Sequence, residues 1–344
     1  MAPVWIKGLD GKGDTVMKMN VNTETVKQTK QQIQPLNIII AVLLTVFSLS
    51  LIVLLAWGIF TSFKGYADFE RGKNYLGLPN MEALGAADAL AFGNYRRILF
   101  GKAFNIKSID ASYYSALFGL VKNNPNTTYK LGDFLVNSIL YSIVCSFVHA
   151  FVAFTCAYLC AKYKFRFSEF IYVLMLIVMA IPIVGSTPSM ISLLRDLGIH
   201  DTVFAMVALN FNFTGLYFFV FHAHISSLSD TYVEAAEIDG ASQFGIFIRI
   251  VFPLCLKTFF TVFLLQFIQT WNDYQTPMLY YPNHPTLSYA VFRMTRNTTI
   301  TSIYDQCVPV WVAGCMVLAI PIFTIFVAFN KMLMGNLTMG GLKE

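Results

Sequence analysis

Few residues in this 344-residue chain are of types that do covalent chemistry, and their spacing excludes most of it. There is no H-E-x-x-H, no G-x-S-x-G inside an apolar run, and no phosphate-cradling G-x-x-x-x-G-K-[ST]. His149, His222 and His224 have no metal-ligand spacing to one another or to any Cys, and they read as packed or interfacial rings. The six cysteines, Cys145, Cys156, Cys160, Cys255, Cys307 and Cys315, form neither a C-x-x-C pair nor a disulfide framework. They read as small apolar packers, so no metal or cofactor is expected. Trp271-Asn272-Asp273-Tyr274 is different. Asn272 and Asp273 can hydrogen-bond hydroxyl groups, and Trp271 and Tyr274 can stack on C–H faces. The same four residues can equally be an interfacial aromatic belt, with Asp273 ending a membrane span.

The elements that must carry these residues are apolar. Hydrophobic residues make up 56% of the chain and charged residues only 12%, with a mean hydropathy of +0.59. Soluble domains average roughly 25% charged residues, so a soluble enzyme or a disordered chain is excluded. A net charge of +5 over this length forms no dense basic patch, so no nucleic-acid partner is expected. An integral membrane protein in contact with lipid remains. Charge-free stretches predict six transmembrane helices at about 36–62, 134–161, 170–194, 203–222, 254–277 and 309–331. Pro182, Pro188 and Pro321 fall inside these spans and predict kinks. Five lysines precede the first span, and Lys162, Lys164 and Arg166 crowd the second connection, so both are expected in the cytoplasm. The polar start is too long for a cleaved leader, and 64–133 is expected outside as a partly helical cap.

Between the fourth and fifth spans the sequence predicts an elbow. Thr231 and Glu234 have capping-box spacing for a helix start, and Ala235 and Ala236 favour helix. Gly240 can take the left-handed conformation that ends a helix. Ser242 can cap a second helix carrying Phe244, Phe247, Ile248 and Val251, with Pro253 as its expected stop. Such an elbow is either a lever that a partner grasps or a solvated linker.

These residues carry a family resemblance. Glu234-Ala-Ala-Glu-Ile-Asp-Gly240, followed by Arg249-Ile-Val-Phe-Pro253-Leu254, resembles the EAA loop of ABC importer permeases. Trp271-Asn272-Asp273-Tyr274, with Pro277 and Leu279 after it, is similar to a segment of the carbohydrate permeases. So are Ile181-Pro182, Leu194-Arg195-Asp196-Leu197-Gly198, Phe92-Gly-Asn94-Tyr95 and Asn137-Ser138. The closing Leu337-Thr-Met-Gly340-Gly341-Leu-Lys343 resembles the tail of permeases like the second membrane subunit of the maltose transporter. The likeness covers most of 36–344. It departs at the long N-terminus and at 102–131, which reads as an insertion.

The resemblance implies an all-α integral membrane protein of the type I ABC importer permease fold, with an enlarged extracytoplasmic loop between helices 1 and 2. Its implied organisation is a cytoplasmic segment 1–35, a first membrane helix 36–62 and an outer loop or cap 63–133. A permease core 134–333 follows, holding helices 2–6 and the coupling loop 229–253, and then a cytoplasmic tail 334–344. It implies a non-catalytic subunit of a bacterial cell-membrane importer for a sugar or oligosaccharide. The implied partners are a second permease, an ATP-binding subunit dimer and an extracytoplasmic substrate-binding protein. Glu234, Ala235, Ala236, Gly240 and Pro253 fall on the ATPase-coupling positions, and Gly340, Gly341 and Lys343 on an ATPase tail contact. Trp271, Asn272, Asp273 and Tyr274 fall on a gate or substrate path. The alternative reading is a gradient-driven secondary transporter or a channel.

Overall fold

The computed structural model describes residues 35–80, 93–100, 129–163, 166–181, 185–296 and 307–337. Met1–Leu55 and Ala56–Glu344 are separate compact units. The described part of the first is one apolar stretch of α1 (Pro35–Ser62), which crosses into the second unit. No residue between Ile38 and Leu55 carries a charge, and such a surface needs lipid around it.

The described residues are helical, with no strand. Among the described residues, four helices are long and apolar enough to cross a bilayer: Ile38–Ser62, Leu131–Lys162, Gln243–Asn272 and Val308–Asn330. The other two expected spans are interrupted. The stretch 170–194 is divided between α4 (Arg166–Ala180) and α5 (Thr187–Asp196), with Pro188 in the first turn of α5. Proline fits a first turn because its missing N–H would have no helical partner there. Pro182 lies outside the described residues. The stretch 203–222 is divided between α6 (Val203–Asn210) and α7 (Leu216–Ser226). Between them the Asn212 side chain accepts from Thr214 N at 2.9 Å and from Thr214 Oγ1 at 2.6 Å, a local turn that competes with helix. Broken helices at membrane depth are tolerated where they line a cavity or are covered by protein.

The short α2 (Gly93–Phe100) closes the open end of α1. Asn94 Nδ2 donates to Ser62 O and Lys64 O, both at 2.8 Å, satisfying carbonyls that a helix end leaves free. Of the expected insertion, 102–128 lies outside the described residues.

The centre of the second unit is α3 (Leu131–Lys162), which packs along α7 and along α10 (Phe252–Asn272). Its buried face is a ladder of small residues, Ser138, Ser142, Ser146, Ala150, Ala153 and Ala157. Small residues let helices approach closely where apolar burial alone does not drive association. Ser146 Oγ and Thr270 Oγ1 bond across the α3–α10 contact at 3.0 Å. Toward one end, fully buried Phe154 meets Phe221, Phe247, Phe252 and Phe259 at ring-centroid distances of 5.4, 5.6, 5.5 and 6.0 Å. This aromatic hub joins α3, α7 and α10 directly beneath the elbow. The histidines are packed, as expected: His149 lies edge-on to Tyr217, His222 lies against Tyr172, and His224 bonds Thr258.

Candidate functional site

The elbow is α8 (Thr231–Ile238), a turn, and α9 (Gln243–Ile246). Gly240 sits at φ 78°, where L-residues with a Cβ are strained. Ala241 N donates to Ala236 O at 2.9 Å and Gly240 N to Glu237 O at 3.0 Å. That pair is the Schellman pattern, which satisfies the last carbonyls of α8 and reverses the chain. Ser242 Oγ accepts from Gly245 N at 3.2 Å and caps α9, as its position predicts.

Two details differ from the sequence reading. The capping box at Thr231 and Glu234 is absent: Asp230 is the capping residue, and it makes no side-chain cap bond. The Thr231 hydroxyl instead bonds Ser229, and Asp230 is drawn away to Lys162 Nζ at 2.6 Å. Pro253 also does not stop the second helix. The chain is helical without a break from Gln243 to Asn272. A π-turn over Phe247–Val251 lets Phe252 N reach Phe247 O, loosening the ladder just where proline lacks its donor. The elbow is therefore joined to a membrane span as one continuous rod.

The end of α3 holds both limbs of the elbow. Lys162 Nζ donates to Leu228 O at 3.1 Å as well as to Asp230. Tyr163 Oη donates to Gln243 Oε1 at 2.7 Å, and Gln243 Nε2 donates to Glu237 Oε1 at 2.8 Å. Ala236 is buried against the aromatic hub, whereas Glu234 and Ala235 face outward. Beside them Ile238 and Phe244 are 86% and 71% exposed, an apolar surface of the kind a partner covers.

At the far end of α10 the residues of Trp271-Asn272-Asp273-Tyr274 point in different directions. Trp271 is buried, stacks on Phe267 at 5.8 Å, and donates from Nε1 to Leu318 O of α13 (Val308–Leu337) at 3.0 Å. Asn272 is exposed and bonds back to Ile268 O. Asp273 Oδ1 accepts from Gln275 N at 2.9 Å and Thr276 N at 3.1 Å, capping α11 (Gln275–Tyr280). Its Oδ2 accepts from Tyr141 Oη at 3.3 Å. Tyr274 stacks on Phe292 of α12 (Leu287–Arg296) at 4.2 Å. Asp273 opens onto a cleft of about 450 Å³, also lined by Tyr141, Asn210, Gln266, Gln269 and Thr276. Gly340, Gly341 and Lys343 lie outside the described residues.

A buried knot near this end was not legible in the sequence. Asp201, at φ 61° and 1% exposed, accepts from Asn283 Nδ2 at 2.7 Å and contacts His284 Nδ1 at 3.2 Å. Tyr129 Oη donates to Asn283 O at 2.9 Å. Burial, with the charges of Asp201 and Asp133, pushes the Tyr129 phenol up to about 12, which keeps it a donor. Asn137 and Ser138 clasp the same loop, through Pro285 O at 3.2 Å and Leu287 N at 2.6 Å.

The family model for binding-protein-dependent transport system inner membrane components matches residues 151–333, just over half of the chain. The chain belongs to that family. The match takes in α7, the elbow, α10 and most of α13. The arabinooligosaccharides transport system permease protein of Bacillus subtilis is 27% identical over 183 residues, 53% of this chain and 63% of that relative. The chain thus matches slightly less than two thirds of that relative's length. The sn-glycerol-3-phosphate transport system permease protein of Escherichia coli K12 is 44% identical over 61 residues, 18% of this chain and 22% of that relative. A chain in the crystal structure of a bacterial ABC transporter involved in the import of the acidic polysaccharide alginate has the same fold. Its TM-score is 0.64 at 20% identity, covering 88% of this chain and 97% of that one. The protein is a multi-pass membrane component of that family, helical throughout its described residues.

Proposed function

We propose that this permease is the membrane-spanning subunit of an ATP-driven carbohydrate importer, coupled to a separate ATPase dimer through the 229–253 elbow. A second permease completes its pore, and an extracytoplasmic binding protein delivers the sugar. The observation that carries the reading is the elbow: Glu234, Ala235, Ile238 and Phe244 face outward from a turn held by Gly240, on a rod that runs into a membrane span. In this reading Glu234 meets a basic group on the ATPase, Ala235 allows close approach, Ala236 seats the coupling helix on the aromatic hub, and Pro253 lies in the rod that passes the motion on. Gly340, Gly341 and Lys343 are the tail contact. Two relatives named for arabinooligosaccharides and alginate support a carbohydrate as cargo. Trp271 and Tyr274 support the gate by packing, and Asp273 by capping α11. A gradient-driven carrier is the weaker reading, because both oxygens of Asp273 are already engaged.

Affinity-tagged chain, extracted in mild detergent, is expected to co-purify with an ATPase and a second permease, and Glu234→Lys to reduce that yield. Purification of the chain alone, with full transport retained by Glu234→Lys, would contradict the coupling role.

Two further outcomes follow from the same geometry. With both termini and the elbow cytoplasmic and 63–133 outside, Leu76 and Ile238 lie on opposite sides of the membrane. Both are strongly exposed. In a background without the six native cysteines, an impermeant thiol reagent added outside is expected to label Leu76→Cys and not Ile238→Cys. Lys162→Ala removes the bonds that hold the start of α8. A partly exposed ion pair is worth up to about 1 kcal/mol, so uptake per ATP should fall roughly fivefold while the subunits still assemble.

A further inference from the structure

We propose, resting on the carbohydrate-importer reading, that the cleft between α3, α6, α10 and α11 is a subsite in this subunit for the hydroxyls of an uncharged saccharide. Gln266 and Gln269 share one edge of α10, at i and i+3, and Asp273 follows just past its end. Neither glutamine side chain has a hydrogen-bond partner among the described residues. Both lie in the last two turns of a membrane-spanning helix. An amide left unpaired in hydrocarbon is costly, and polar groups in such helices face a water-filled path or a ligand. Asn210 reaches the same cleft because α6 ends there, at the break in the fourth expected span.

The cleft, at about 450 Å³, is within the roughly 300–1,000 Å³ of small-molecule sites. Its chemistry is specific. Amides and hydroxyls each donate and accept, which matches the mixed character of sugar hydroxyls. Tyr141 adds a phenol, and its bond to Asp273 Oδ2 fixes that ring's edge. Among the described residues the lining contains one carboxylate and no Lys, Arg or His. A uronate or phosphate would meet that carboxylate without a countercharge, so the cleft favours a neutral cargo over the acidic kind that the alginate transporter carries.

The test uses the whole transporter, with its ATPase, second permease and binding protein, in proteoliposomes. Labelled arabinotriose, maltotriose and a mannuronate trisaccharide are offered, and ATP hydrolysis is followed in parallel. Wild type should import at least one neutral trisaccharide and not the mannuronate. Gln266→Leu with Gln269→Leu should lower that uptake by roughly tenfold, the worth of one or two lost hydrogen bonds, while binding-protein-stimulated hydrolysis stays near wild type. Gln266→Asn with Gln269→Asn, which keeps the amides, should recover part of the loss. Unchanged uptake in the double leucine variant would overturn the subsite. So would a parallel fall in uptake and hydrolysis, or import of the mannuronate alone. No ATP-dependent uptake of any saccharide by wild type would overturn the importer reading itself, and the subsite with it.

Discussion

Gly240→Val is expected to abolish most coupling while leaving the protein in the membrane. Gly240 holds φ 78°, and an added Cβ would meet no atom within 4 Å, so the whole cost is conformational. Left-handed geometry costs an L-residue roughly 1–2 kcal/mol, and more for a β-branched one. A penalty of about 2 kcal/mol lowers the population of the turned elbow by roughly tenfold or more. Binding-protein-stimulated ATP hydrolysis and uptake should fall together by that order, with normal amounts of the chain in the membrane. Gly240→Asn should keep most activity, because asparagine tolerates this region. Wild-type uptake by Gly240→Val would show the elbow to be only a linker.

Trp271→Ala should have the larger effect on stability. Trp271 is buried, stacked on Phe267, and bonded to Leu318 O, so it fastens the end of α10 to α13. Truncating a large buried aromatic costs about 3–5 kcal/mol in soluble cores, through lost contacts and the cavity left behind. The variant should unfold at lower temperature in detergent and lose uptake of every sugar alike. Trp271→Phe keeps much of the ring and loses only the N–H, so it should recover most of the stability. A change in relative sugar preference at wild-type thermal stability would instead make Trp271 a sugar contact.

These contrasts show what the sequence could carry. Long charge-free runs marked α1, α3 and α13 because lipid tolerates few charges. The same criterion passed over the breaks in the third and fourth expected spans. Asn212, Thr214 and Gly215 carry no charge, yet they make the turn that separates α6 from α7. Gly240 and Ser242 were legible because their work is local. The absent capping box was not, because Asp230 is engaged by Lys162, 68 residues away. Pro253 at the end of the short second helix reads as a stop; only the π-turn before it shows how the helix passes through. The Asp201 knot joins residues 82 and 83 positions apart, a distance at which single-sequence spacing carries no signal. Gln266 and Gln269 had a readable signal, two amides inside an apolar span, but only the cleft gives them a common direction.

The most direct test of the account is the energy source of transport. Proteoliposomes containing the complete complex, with binding protein and an oligosaccharide that it binds, should accumulate sugar when ATP is supplied on the ATPase side. They should accumulate none with ADP, and none under an imposed proton or sodium gradient. Uptake by this chain alone, driven by such a gradient without ATP, would contradict the account.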